Sequence, residues 1–289
     1  MIITKIAGGL GNQLFQYAAG LSLSRKHNVP LVIDARSYDV YRDRVYELRK
    51  FGVIGPMASD AQIYALTGWP QNRSQRLSAR IGIKPKNFNY YRESSIKFDP
   101  AFNELKPPIY IDGNFQNEAY FGNVKNEVRD LFDEVQVQTQ RSRTVQDYLS
   151  GKKAVSLHIR RGDYVSDEKY RSIFNVTTLD YYARAIEALE SSTEFDLVAV
   201  FSDDMEWASA NLKLDHDVLF TPPIESQHAF EDILLMSTCS HNIIANSSFS
   251  FWGAWLGKSE DRIVIAPEKW TLDDSIRTRD IIPERWKTA

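Results

Sequence analysis

Ala154-Val155-Ser156-Leu157-His158-Ile159-Arg160-Arg161-Gly162-Asp163-Tyr164 is the stretch from which the rest of the chain can be read. The apolar run 154–159 has the length and composition of a buried strand, and Gly162 turns the chain just beyond it. Polar groups at that point stand at the carboxyl edge of a sheet, where parallel α/β folds bind ligands. Two adjacent arginines beside a glycine offer planar, permanently charged forks that match phosphate oxygens. A second reading holds Arg160 and Arg161 in salt bridges with Asp163 or Asp167, and on these residues alone both stand.

Working outward, the same grammar recurs. Residues 2–6 read as a strand and 8–11 as a glycine turn. A helix then places Leu14, Tyr17, Ala18 and Leu21 on one face, and 29–34 reads as the next strand. After residue 162, a helix is predicted over 181–189, with strands over 197–201, 242–245 and 262–266. This alternation predicts two α/β domains with mainly parallel sheets, 1–150 and 151–289, joined through the polar stretch 135–153.

The 289 residues are 43% hydrophobic and 25% charged, which excludes bulk disorder, and a net charge of -3 argues against nucleic-acid binding. A single cysteine, Cys239, permits no intramolecular disulfide and no cysteine-built zinc site. His27, His158, His216, His228 and His241 share no ligand spacing. The amino terminus lacks the pattern of a signal peptide and no run reaches the ~18 apolar residues of a membrane helix. The expectation is a cytoplasmic protein with, at most, peripheral contact at the inner face of the membrane. One stretch bears on that contact. Arg73, Arg76 and Arg80 share a helix face, and 73–92 contains no acidic residue. It reads as a solvated helix or as a basic face toward an anionic lipid carrier or acceptor.

Three further motifs carry chemistry. Gly9-x-Gly11, with Asp34 closing the next strand, imitates a dinucleotide fingerprint, but Leu14 stands where the third glycine belongs. A nicotinamide-dependent oxidoreductase is therefore an alternative with a partial motif. Asn246-Ser247-Ser248 precedes an aromatic helix, where serines cap free N–H groups or help bind an anion. Trp252 and Trp255 on that helix are expected in the core. Phe201-Ser202-Asp203-Asp204 ends a strand with paired carboxylates, which suit a divalent metal, a guanine edge or ribose hydroxyls. Since Arg160 and Arg161 already supply cationic charge, base or ribose binding is the favoured reading. Asn175 and Asn246 also head glycosylation sequons, without consequence in a cytoplasmic protein.

Taken together and in order, these stretches resemble the α-1,2-fucosyltransferases of glycosyltransferase family 11. The resemblance rests on residues 158–164, on Gly8-Gly9-Leu10-Gly11-Asn12-Gln13-Leu14-Phe15-Gln16-Tyr17, and on Tyr46-Glu47-Leu48. Gly113-Asn114-Phe115-Gln116, residues 201–204, 246–256, and Ala266-Pro267 with Trp270 complete it. Phe115 and Phe251 stand where the family more often has tryptophan, and residues 60–95 match no family motif. The resemblance implies a GT-B fold, two Rossmann-like domains facing across a cleft, the first binding an acceptor and the second GDP-fucose. The segment around Pro283 and Trp286 is expected to cross back to the first domain.

The implied reaction is metal-independent transfer of fucose, with inversion, to the 2-hydroxyl of a galactoside in an oligosaccharide or lipid-linked glycan. Arg160 and Asn12 are the implied catalytic residues. Gly11, Gln13, His158, Arg161, Asp163, Ser202, Asp203, Asp204, Asn246, Ser247, Ser248 and Phe249 are the implied donor contacts. Asp34, Glu47 and Glu118 are candidate general bases. A noncatalytic nucleotide-sugar or glycan-binding protein is the remaining alternative.

Overall fold

Every pairing within the two sheets is parallel, as the alternation of apolar runs and helical stretches predicts. The computed structural model describes residues 1–289 apart from 41–43, 54, 83–84, 86–87, 163–166, 175 and 274. The chain divides into two units, Met1–Leu131 and Phe132–Ala289.

In the first unit, β1 (Ile2–Lys5), β2 (Leu31–Asp34), β3 (Tyr90–Arg92) and β4 (Ile109–Asp112) form one sheet in the order β2-β1-β4-β3. The helix Leu10–His27 connects β1 to β2 and buries Leu10, Leu14, Phe15, Ala18, Leu21 and Leu23. Its close approach to the sheet comes at Gly20, where a Cβ would lie 2.9 Å from both Leu31 Cδ1 and Thr4 Cβ. The role a third fingerprint glycine would play is thus taken two turns further along the helix. The helix stops at Asn28, whose left-handed backbone (φ 50) closes it after Arg25, Lys26 and His27 complement the negative end of the dipole.

In the second unit, β5 (Ala154–Ile159), β6 (Leu197–Ser202), β7 (Val218–Phe220), β8 (His241–Ile243), β9 (Val264–Ala266) and β10 (Lys287–Thr288) run in the order β10-β9-β8-β5-β6-β7. This is the Rossmann order, with β5 first in its half. Every residue of β5 is buried. Val155, Leu157 and Ile159 pack with Tyr181, Ala185 and Leu189 of the helix Leu179–Glu190, each aliphatic contributing about 2 kcal/mol. Ser156 and His158 project to the other face. There the helices Phe230–Thr238 and Ser248–Trp255 meet at Gly253, whose added Cβ would fall 2.8 Å from Met236 Cβ. Trp252 and Trp255 are fully buried, as expected.

Two boundaries differ from expectation. The stretch expected as a linker contains the helix Gln140–Leu149, capped by Thr139, with Val145 and Leu149 buried and Arg141 paired to Asp232. The division between units falls earlier, after Leu131. The carboxyl-terminal segment packs within the second unit. Trp286 is buried against Phe251, and Lys287–Thr288 forms the outer strand of the six-stranded sheet.

Candidate active site

Each sheet has a point where strand order reverses, and there the loops after two adjacent strands diverge to leave a crevice. In the second unit it lies between β5 and β8. The loops that follow these strands carry Arg160, Arg161 and Gly162 from one side and Asn246, Ser247 and Ser248 from the other.

His158 is the last inward residue before that loop. Its ring is 5.8 Å from Phe249, its Nδ1 is buried with no hydrogen-bond partner among the described residues, and its carbonyl accepts the Tyr182 hydroxyl at 3.0 Å. Burial, and then the neighbouring Arg160 guanidinium, push its pKa down to about 3, so the imidazole is neutral at working pH.

The two arginines meet the two aspartates. Arg160 Nη1 lies 2.7 Å from Asp203 Oδ2, while the Arg161 N–H donates to Asp203 Oδ1 at 2.8 Å. The Arg161 side chain reaches Asp204 Oδ2 at 3.0 Å, with its guanidinium 3.7 Å from the Trp207 ring centroid. Asp204 also caps the helix Met205–Asn211 through the Trp207 N–H, and Ser202 accepts the Asp204 N–H at 3.0 Å. Gly162 lets Asp203 approach, because a Cβ there would lie 2.5 Å from Asp203 Oδ2 and the carboxylate would have to shift. The arginines are salt-bridged, as one reading held, with Asp203 and Asp204 as acids. Asp163 and Tyr164 lie outside the described residues.

At β8 the serines divide their work. Ser247 caps the helix Ser248–Trp255 by accepting the Phe249 N–H, while Ser248 and Phe249 remain partly exposed at its first turn. Asn246 is buried and donates to the carbonyls of Phe174 and Trp270, each at 2.9 Å, so its amide N–H groups hold the fold.

In the first unit the reversal lies between β1 and β4, and the loops after them hold residues 8–12 and 113–116. Gly11 sits in the first turn of the helix Leu10–His27, which has no side-chain cap and no acid in that turn. Asn12 Oδ1 accepts from Gln116 Nε2 at 2.8 Å. Gln13, expected to meet a ligand, is completely buried instead. It donates to the carbonyls of Gly8 and Val45 and accepts the Glu47 N–H, so both ends of its amide are engaged in the loop.

Of the expected bases, Asp34 is committed elsewhere. Arg36 grips both its oxygens at 2.8 Å and the Tyr110 hydroxyl donates to one of them, which together outweigh burial and hold its pKa low. Burial raises the pKa of Glu47, whose nearest cation is Lys50 at 3.3 Å, and Glu118 pairs with Lys125 at 3.4 Å. Two residues of these clusters belong to no motif. Trp207 had a signal, standing at the third position of the helix capped by Asp204. Glu93, which contacts the 113–116 loop, had none.

Among the described residues, no group of three or more His, Cys, Asp and Glu is placed to hold a metal. Residues 85–288 match the model of glycosyl transferase family 11. The chain belongs to glycosyltransferase family 11. This family 11 chain is 32% identical over 292 residues to an α-1,2-colitosyltransferase of Escherichia coli, covering 99% of this chain and 98% of that one. To the Escherichia coli O-antigen biosynthesis glycosyltransferase WbnK it is 31% identical, covering 92% of this chain and 93% of that one. Over 188 residues it is 26% identical to galactoside α-(1,2)-fucosyltransferase 1 of Saimiri boliviensis boliviensis, covering 62% of this chain and 50% of that protein. A mutant Arabidopsis thaliana FUT1 in complex with GDP matches with a TM-score of 0.52 at 14% identity, covering 95% of this chain and 72% of that one. That likeness is one of fold, the parallel α/β architecture of GT-B fucosyltransferases.

Proposed function

We propose that this family 11 chain is an inverting α-1,2-fucosyltransferase that moves L-fucose from GDP-fucose to the 2-hydroxyl of a galactoside in a cell-surface glycan or its lipid-linked precursor. The observation that carries it is the pairing, across the β5–β8 reversal, of Arg160 with the serine-capped start of the helix Ser248–Trp255. Both features favour negative charge, and in this reaction charge develops on the departing diphosphate. As the acceptor oxygen bonds to the anomeric carbon, the bond from that carbon to the phosphate oxygen breaks and the acceptor proton leaves.

The Arg160 and Asp203 side chains are 24% and 25% exposed, and in this reading the guanidinium exchanges that carboxylate for a diphosphate oxygen. The neutral His158 and Phe249 lie toward the nucleoside in this reading. Asp203 or Asp204 takes the guanine or ribose, and the second unit holds the donor while the first holds the acceptor. Asn12 is the first unit's proposed catalytic residue, offering an amide donor to a substrate oxygen. No metal is called for, because the arginines already supply the cationic charge. The buried, unpaired Cys239 suits a reducing, cytoplasmic location.

The test compares binding of GDP, ADP and UDP with a chelator present, then turnover of GDP-fucose and GDP-colitose on galactosides with linkage analysis of the product. Colitose lacks the 3-hydroxyl of fucose but presents the same diphosphate, so the turnover ratio identifies the sugar. Equal binding of the three nucleotides removes the guanine assignment. GDP binding without transfer from either donor leaves a binding protein.

A separate observation supports contact with an anionic membrane. The helix Arg73–Arg80 buries no residue, and Leu77 and Ile81 are 62% and 67% exposed beside Arg73, Arg76 and Arg80, none of which is ion-paired among the described residues. A basic row flanked by an apolar one matches charged headgroups over acyl chains. Sedimentation with phosphatidylglycerol vesicles, but not with phosphatidylcholine alone, is expected. Unchanged sedimentation after reversing the three arginines to glutamate removes this contact.

A further inference from the structure

The tie between Asn12 and Gln116 depends on a carboxylate that stands outside every motif. Glu93 follows the last residue of β3 and continues its register, its N–H donating to the Asp112 carbonyl at 2.9 Å. From there its side chain reaches over the end of β4. Oε2 accepts the N–H of Asn114 at 2.6 Å and that of Phe115 at 3.0 Å, two successive backbone donors converging on one anion.

This arrangement explains the composition of the loop residue by residue. Gly113 leaves room for the carboxylate, since a Cβ there would stand 2.5 Å from Glu93 Cβ and 2.9 Å from the Phe115 ring. Phe115 adopts φ 52, in the left-handed region, at a cost of about 1 kcal/mol for a residue other than glycine. Two charge-assisted hydrogen bonds to Glu93, with the ring packed 5.5 Å from Phe102 and 5.2 Å from Tyr120, offset that cost. The turn at Phe115 delivers Gln116, whose Nε2 donates to Asn12 Oδ1 at 2.8 Å. With Oδ1 engaged, Asn12 has its Nδ2–H to offer, a donor suited to a substrate oxygen. Glu93 Oε1 is buried with no hydrogen-bond partner among the described residues, and burial raises the pKa against the pull of the Phe115 and Asn114 N–H groups.

We propose that Glu93 is a positioning residue for the transfer reaction, holding the loop 113–116 so that Gln116 orients the Asn12 amide at the β1–β4 reversal of the first sheet. This rests on the reading of Asn12 given above.

Glu93→Ala is expected to lower kcat tenfold or more with donor KM within threefold. Glu93→Gln, which keeps one oxygen able to accept both N–H groups, is expected to recover most of that loss. Adding Gln116→Ala to Glu93→Ala should cost less than a further twofold, because both act through Asn12. Wild-type turnover in Glu93→Ala, or losses that multiply in the double variant, would overturn the proposal.

Amide exchange measured by NMR reads the anchoring without any turnover. Protection of Asn114 and Phe115 should be lost in Glu93→Ala and kept in Glu93→Gln, with the amides of β1 unchanged in both. Protection that survives Glu93→Ala overturns the anchoring. If Glu93→Ala does not fold, Glu93→Asp, whose shorter side chain withdraws the oxygens, replaces it in both arms. A wild-type protein that binds GDP and transfers no sugar sinks the functional reading alone, and the exchange measurement still decides the role of Glu93 in the loop.

Discussion

The two sheets end in opposite ways. At the carboxyl edge of the second, the acids are partly exposed, Asp203 at 25% and Asp204 at 38%, with Arg160 on Asp203 and Arg161 between Asp204 and Trp207. At the carboxyl edge of the first, they are locked. Asp34 is buried under Arg36 and Tyr110, Asp112 is shared by Lys5 and Tyr90, and Glu93 is sunk into a backbone loop. What the first edge offers outward is amide chemistry, through Asn12 and Gln116. A site for a diphosphate needs charge that can change partners, whereas a site for sugar hydroxyls needs donors and acceptors fixed in direction. The same strand–glycine–helix grammar suits either, depending on how deeply the carboxylates at the edge are buried, 6% and 17% exposed at Asp34 and Asp112 against 25% and 38% at Asp203 and Asp204.

The comparison breaks first at Arg160. Arg160→Ala should lower turnover of GDP-fucose by about a hundredfold or more, the usual cost of removing a group that stabilises developing charge. Unchanged turnover would put the two edges on an equal footing. Next, Asp34→Asn should destabilise the protein by about 2 kcal/mol in urea unfolding, because it removes the charge that two Arg36 hydrogen bonds meet and leaves Asp60 as that guanidinium's ion partner. Turnover should stay within a few-fold, and a collapse of kcat without loss of stability would restore Asp34 as a general base.

His158 gives an effect of similar size that depends on pH. Its folded pKa, about 3, lies below the unfolded value near 6.5, so the unfolded chain takes up the proton first. Its contribution is fully present above pH 6.5 and shrinks as pH falls, by about 2 kcal/mol at pH 5. His158→Phe should flatten that part of the stability profile, and an unchanged slope would place the imidazole in solvent. The smallest effect sharpens the contrast. Gly162→Ala should lower kcat/KM about tenfold by displacing Asp203 from Arg160, since the added methyl would otherwise sit 2.5 Å from Oδ2.

Legibility in the sequence followed the range of the interaction. The strands Ala154–Ile159 and Leu197–Ser202 announce themselves as apolar runs ending in turn residues, and the arginine pair at the end of the first is local to it. The motif Phe201-Ser202-Asp203-Asp204 was visible as a pair of acids, but its attachment to Arg160 and Arg161 joins neighbouring strands about 40 residues apart and leaves no periodic trace. Short strands were also opaque. Tyr90–Arg92 is only partly buried and forms no apolar run, and Ile109–Asp112 follows two prolines. The helix Gln140–Leu149 looked like a linker because only Ser142, Val145 and Leu149 of its ten residues are buried, although the i, i+4 spacing of the last two was present. Gln13 misled for a different reason. A polar residue beside a glycine turn suggests a ligand, and nothing local reveals that Gly8, Val45 and Glu47 fill its hydrogen-bonding capacity.

The stacking of Arg161 on Trp207 has an optical consequence. Four of the six tryptophans, at positions 252, 255, 270 and 286, are buried in the second unit, and Trp69 lies in the first. Trp207 has the Arg161 guanidinium 3.7 Å from its ring centroid. Its emission therefore reports where Arg161 is, so a titration with unlabelled nucleotide can be followed in the protein's own fluorescence, and Trp207→Phe supplies the blank.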